Sequence, residues 1–350
     1  MTRNPLRLLW RPAALLAATV LLTACPDNKS TTETADPADP AATAEPELRK
    51  APAFNADSAY QFTAKQVSFG PRVPNSAAHV KCGNWLVAKF KALGLQVQEQ
   101  PFTAMAFDGK QLQGRNIIAR FAPQAARRVA LFAHWDTRPF ADKDKTKPNA
   151  PLDGANDGAS GVAVALEIAR QLAAQPDSLT PAVGVDIILF DAEDYGYDSS
   201  TQADKENKLA GAGVESWCLG SQHWMKNKVP AGYKADYGIL FDMVGAKGAR
   251  FSREELSRQQ ANDVVNKVWY TASRLGFSDY FIPQDMPGIT DDHVFTNQAG
   301  VRTIDIIDHV PYGDEFFPPY HHTTQDNMSI IDRGTLRAVG QTVLQVLYQE

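Results

Sequence analysis

From Asn75 to Leu93 apolar residues recur at helical spacing (Ala78, Cys82, Trp85, Leu86, Phe90, Leu93), and Gly94 follows as a stop. The period then changes. "RNIIARF" and "RVALFAHW" are short apolar or β-branched runs separated by the turn-like "APQAAR", and they predict neighbouring strands. Helical spacing returns from Ala159 to Ala174, after the turn residues "DGANDG", and again over Glu254–Leu275 and Gly334–Leu347. "VDIILFD" and "YGILFDMVG" are near-continuous apolar runs, the pattern of central strands covered on both faces, and "VRTIDIIDH" predicts another strand. Strands alternating with helices define an α/β class, a three-layer sandwich with a central mixed, mostly parallel sheet flanked by helices. The strand order stays open.

Several apolar runs end in acids and histidines: His134 and Asp136, then Asp191, Glu193 and Asp194, then Asp242, then Asp308 and His309 with His321 and His322 beyond. In α/β sheets ligands gather at the carboxyl ends of strands, so these residues are candidates for one site. Glu193 and Asp194, if both buried, need a cation or a shared proton. Zinc meets that need, since it accepts carboxylate oxygen and imidazole nitrogen. Asp157 sits in a glycine-rich turn before a helix and reads either as a helix cap or as a ligand. Asp292 has the same capping alternative. The aromatic residues Trp217, Tyr320 and Trp135 read as pocket wall or as core.

The ends of the chain change the picture. Arg3, Arg7 and Arg11 precede an apolar run from Ala13 to Leu22, the layout of a signal peptide over residues 1–24. That run is shorter than the roughly 20 residues a bilayer requires. Leu22-Thr23-Ala24-Cys25 resembles a bacterial lipobox, which implies cleavage before Cys25 and acylation of its thiol; an ordinary signal with an incidental cysteine is the alternative. Residues 25–50 are rich in Pro, Ala, Thr and acids and read as a tether, with the folded domain over 51–350. The expected location is therefore outside the cytoplasm, anchored to a membrane and facing the periplasm, at the outer membrane or cell envelope. A net charge of −5 without a basic cluster argues against nucleic acid as a partner. Export permits a disulfide between Cys82 and Cys218, and a buried thiol at Cys82 fits equally well.

"AHWDTRP", "LDGANDGASGVAVALEIAR", "ILFDAED", "LFDMVGAKGARF", "DDHVFTNQAG" and "HHTTQDN" occur in that order. As an ordered set they resemble the zinc-dependent exopeptidase family that includes aminopeptidases and the animal-type glutaminyl-peptide cyclotransferases. The likeness runs from about Asn75 to the C-terminus. It implies Asp157, Asp194 and His322 as zinc ligands, with Asp194 where relatives often have Glu. It implies Glu193 as general base, with Asp242 and Asp292 as acids beside it. His134 becomes a second-metal ligand or a structural histidine oriented by Asp136. Trp217, Tyr320 and His321 become substrate contacts, His321 standing where animal cyclases carry an aromatic residue. The implied reaction is zinc-dependent cyclisation of an N-terminal glutamine of a peptide or protein to pyroglutamate, with one zinc per chain. A dizinc aminopeptidase is the alternative, and a non-catalytic peptide-binding lipoprotein a third reading. The polar segment from Tyr195 to Ser216 lacks periodicity and is expected to border the pocket.

Overall fold

The computed structural model describes residues 49–176, 180–198 and 214–350. The expected signal peptide, Cys25 and all but the end of the tether lie outside the described residues. The chain order begins α1 (Ala56–Val67), α2 (Ala77–Ala92), β1 (Gln96–Met105), β2 (Gln111–Phe121), β3 (Arg128–His134), α3 (Ala159–Ala173) and β4 (Gly184–Phe190). It continues with α4 (Leu219–Lys226), β5 (Tyr237–Asp242), β6 (Phe251–Glu254), α5 (Glu255–Arg274), β7 (Phe281–Met286), α6 (Asp292–Gln298), β8 (Thr303–Ile307) and α7 (Arg333–Leu347).

One mixed sheet has the order β1-β2-β4-β3-β5-β8, and β6 pairs with β7 separately. The strands β4, β3, β5 and β8 are mutually parallel, while β2 runs antiparallel to both β1 and β4. This is the expected α/β sandwich, with one correction. The strands β2 and β3 are not neighbours, because β4 lies between them, with Ile117 opposite Leu189 and Leu131 opposite Ile187. Every residue of β4 is buried. Val185, Ile187 and Leu189 pack into one core, and Ile188 and Phe190 into the other. A strand this apolar is stable only with a ladder on each edge and cover on each face. Ala59 of α1, Leu86 of α2, Val162 of α3, Val265 of α5 and Val343 of α7 cover the first face. Trp224 of α4, with Tyr233, Ala299 and Val301, covers the second.

Strand parallelism positions the site. His134 lies level with Phe190, and Asp242 level with Ile307, so four strands release their next residues at one edge. The N-cap of α3 is Gly158, with φ +33°, and a Cβ there would meet the His134 carbonyl oxygen at 2.5 Å. Only glycine fits so close to β3. The same approach sets Asp157 against His134. Cys82 and Cys218 are both free and buried, so the pair forms no disulfide.

Candidate metal centre and acid cluster

A cavity of about 770 Å³ opens at this edge, lined among others by Asp157, Glu193, Asp194, Asp242, Asp291, Trp217, His321 and His322. His322 Nε2 lies 3.2 Å from Asp194 Oδ1 and 3.8 Å from Asp157 Oδ2. Donors that share a tetrahedral zinc stand roughly 3.3 Å apart, as follows from ligand distances near 2.0–2.2 Å. Both oxygens of Asp194 are buried without a hydrogen-bond donor. Burial and the neighbouring Asp157 push its carboxyl group well above the usual range. His322 is held well below the ordinary value by burial, then by His321, Arg138 and Lys143, so it presents the neutral imidazole that metals bind. Two carboxylates and a neutral imidazole, one carboxylate left orphaned, are the donor types that zinc accepts.

His321 also has a ligand atom within 4.8 Å of Asp157 and His322. It is half-buried, and Lys143 Nζ sits 3.4 Å from its Nδ1. His322, which touches both carboxylates, is the better ligand.

Neighbouring groups hold the ligands in place. The Asp326 carboxylate accepts the backbone N–H groups of Asn156 (2.7 Å) and Asp157 (3.0 Å), and buried Arg72 donates to the Gly154 carbonyl at 2.7 Å. Asp157 is thus presented to the cavity, and Gly158, not Asp157, is the N-cap of α3. Asp136 accepts the backbone N–H groups of Glu193 (3.1 Å) and Asp194 (3.3 Å). It stands 3.6 Å from His134 Nδ1, so besides facing the histidine it fixes the acid turn. Ala192, Met243 and His322, each at or beside a turn that carries a cavity-lining acid or histidine, adopt left-handed φ values of 55°, 49° and 56°. Such strain costs about 1–3 kcal/mol per residue and aims side chains that regular backbone would misdirect. Asp191 points away from the cavity to His79, at 2.8 Å.

On the other side of Asp157 sits the acid cluster. His134 Nε2 lies 3.0 Å from Asp157 Oδ1 and 3.2 Å from Asp242 Oδ1, and its Nδ1 lies 3.8 Å from Glu193 Oε2. Burial opposes charge on His134, but Asp136, Asp157 and Asp242 outweigh it and hold the ring well above its ordinary value. Burial raises Asp242 to about 7. Glu193 is pushed well above its usual range by burial, reinforced by Asp291, Asp194 and Asp292 and opposed by His134. His134, Asp157 and Asp242 also offer ligand atoms within 4.8 Å of one another, the geometry a second metal would need.

Two expectations are corrected, for Asp292 and Tyr320, and the open reading of Trp135 is decided. Asp292 does not face the cavity: it is fully buried as the first residue of α6, and Asp291, the N-cap, lines the wall beside Glu193. Tyr320 is absent from the lining, because its hydroxyl donates to Asp308 Oδ2 at 3.1 Å. Trp135 is fully buried, stacks on His79 and donates to the Arg115 carbonyl. Trp217 does line the cavity, its ring 5.9 Å from that of His322 and nearly parallel to it at 11°. Tyr197 and Asp198, from the segment expected to border the pocket, are wall residues, and residues 199–213 lie outside the described residues. Sequence reasoning missed Arg138, which sits in the "WDTRP" run. It is buried, donates to the Asp194 and Gly196 carbonyls, and lies over Trp217 at 4.8 Å.

The profile of peptidase family M28 matches residues 116–347. The chain belongs to this family. A glutaminyl cyclase of Bacteroides thetaiotaomicron, solved bound to N-acetylhistamine, is 48% identical with a TM-score of 0.80, covering 86% of this chain and 100% of that one. A glutaminyl-peptide cyclotransferase of Drosophila melanogaster is 26% identical over 76% of this chain and 73% of its own length. Aminopeptidase YwaD of Bacillus subtilis (strain 168) is 27% identical over 81% of this chain, which spans about half, 54%, of that protein's length. The M28 chain therefore resembles both cyclases and an aminopeptidase.

Proposed function

We propose that this M28 enzyme is a zinc-dependent glutaminyl-peptide cyclotransferase. The observation that carries the reading is the acid group Glu193, Asp242 and Asp291 on the cavity wall, directly beside the Asp157–Asp194–His322 ligand set. The 48% identity to a structure described as a glutaminyl cyclase supports it.

The N-terminal glutamine of a peptide enters with its side chain toward the ligand set and its α-amine toward the acids. Asp157, Asp194 and His322 would hold the zinc, which would supply Lewis acidity toward the side-chain carbonyl. Glu193 takes a proton as the α-nitrogen forms a bond to the side-chain carbonyl carbon, then returns it to the departing nitrogen as that C–N bond breaks and ammonia leaves. A carboxyl group held well above its usual range by burial suits both halves of that exchange. Asp242 and Asp291 accept hydrogen bonds from the amine and fix its line of attack. Attack within one residue draws on the large effective molarity of intramolecular reactions. Trp217 forms one wall of the slot.

The second reading is an aminopeptidase, favoured by the His134–Asp157–Asp242 group if it holds another metal. The two separate on one assay. A glutamine-initiated peptide that loses a single ammonia, with chelator blocking the loss, supports the cyclase; release of a free amino acid overturns it. Export and lipid anchoring through Cys25 belong to the same proposal. Metabolic labelling with a fatty acid should mark the full chain and not its Cys25→Ser variant.

A further inference from the structure

Helix α4 begins against the acid turn. The Cys218 backbone N–H donates to the Glu193 carbonyl at 2.9 Å, and the Leu219 N–H to the Ala192 carbonyl at 3.0 Å. At Gly220 the approach is so close that a Cβ would sit 2.3 Å from the Asp191 carbonyl oxygen. Three consecutive residues are therefore locked onto residues 191–193. Cys218 itself has φ +56° and ψ 37°, a left-handed conformation that a side-chain-bearing residue adopts only where its surroundings over-determine it.

That backbone delivers the thiol. Cys218 Sγ donates to Glu193 Oε1 at 3.3 Å, and the thiol is fully buried. Among the described residues no other hydrogen bond reaches the Glu193 side chain, and its Oε2 stands 3.8 Å from His134 Nδ1. We propose that Cys218 is a positioning residue for Glu193, its S–H holding Oε1 so that Oε2 is the oxygen turned to substrate. This rests on the reading of Glu193 as the proton-carrying group. A thiol suits the task because it is a weak donor: it sets the direction of the carboxyl group while competing little for the lone pairs that must take up a proton.

Infrared spectroscopy on the purified full chain tests the contact without any assay. The S–H stretch falls where few other protein groups absorb, and a wild-type minus Cys218→Ser difference spectrum isolates the Cys218 band. Removing the acceptor with Glu193→Ala should move that band to higher frequency; a band that stays in place overturns the proposal. Kinetics test the consequence. Cys218→Ala should lower kcat about tenfold with KM nearly unchanged, since a small misplacement of an acting group is costly. Cys218→Ser, which restores a donor, should recover most of that loss. Equal losses in the two variants, or a loss confined to KM, contradict the positioning role. Wild-type protein that fails to cyclise glutamine peptides would instead refute the proposed reaction, and the infrared result would still decide the contact.

Discussion

Two buried histidines face opposite oxygens of Asp157, and their surroundings push their imidazoles in opposite directions. His134 approaches Oδ1 at 3.0 Å and His322 approaches Oδ2 at 3.8 Å. His134 also faces Asp136, Asp242 and Glu193, and those acids push its imidazole well above the ordinary value against the opposing effect of burial. His322 has His321, Arg138 and Lys143 nearby and stays neutral. Proximity to an aspartate therefore does not by itself set the direction of an imidazole's shift; the surrounding ring of charges does. On the proposed reading the neutral ring is the one suited to hold a metal, while His134 sits among acids that would otherwise repel one another.

Breaking the ligand side should have the largest effect. His322→Ala or Asp194→Asn should strip the bound metal and lower turnover by on the order of 10⁴-fold, which metal analysis and a cyclisation assay together would check. Glu193→Gln should keep its metal and lose about 10²–10⁴ in kcat, the range of a general acid–base group.

A smaller effect lies in the pH dependence of stability once metal is removed. Asp242 and Asp326 are each raised from 3.8 to about 7, first by burial. In the folded protein each holds a proton that the unfolded chain releases near pH 4, so its contribution is complete below that pH and is lost as pH rises through 7. His134, also raised, acts in the same direction above its unfolded value of about 6.5. His321 and His322, both lowered, act the opposite way, but only below about pH 6.5, where the unfolded chain begins to protonate them. Between pH 6.5 and 8 the chelated protein should therefore lose several degrees of Tm, and added zinc should restore them. A Tm that rises across that window would contradict the charge pattern. The smallest effect belongs to Tyr320→Phe, which removes only the bond to Asp308. It should cost about 1 kcal/mol in denaturant unfolding and leave cyclisation within about twofold.

The acid-bearing strand ends were legible because an apolar run that stops in Glu193 and Asp194 has few structural explanations. Strand order was not, since β3 and β4 are both buried along their whole length and nothing in their pattern ranks them. The edge strand β1, mostly exposed and carrying Pro101, has too little apolar alternation to read. Asp291 and Asp292 are adjacent, and which one faces the cavity depends on where α6 starts, because one helical residue turns a side chain by about 100°. Asp326 and Asp136 act by accepting backbone N–H groups, a role that leaves no spacing in a sequence.

Metal counting tests the account most directly. Purified wild-type protein and its His134→Ala variant should each carry one zinc per chain, while His322→Ala should carry none. Two zincs in the wild type, with one lost in His134→Ala, would make His134 a ligand and point to the aminopeptidase.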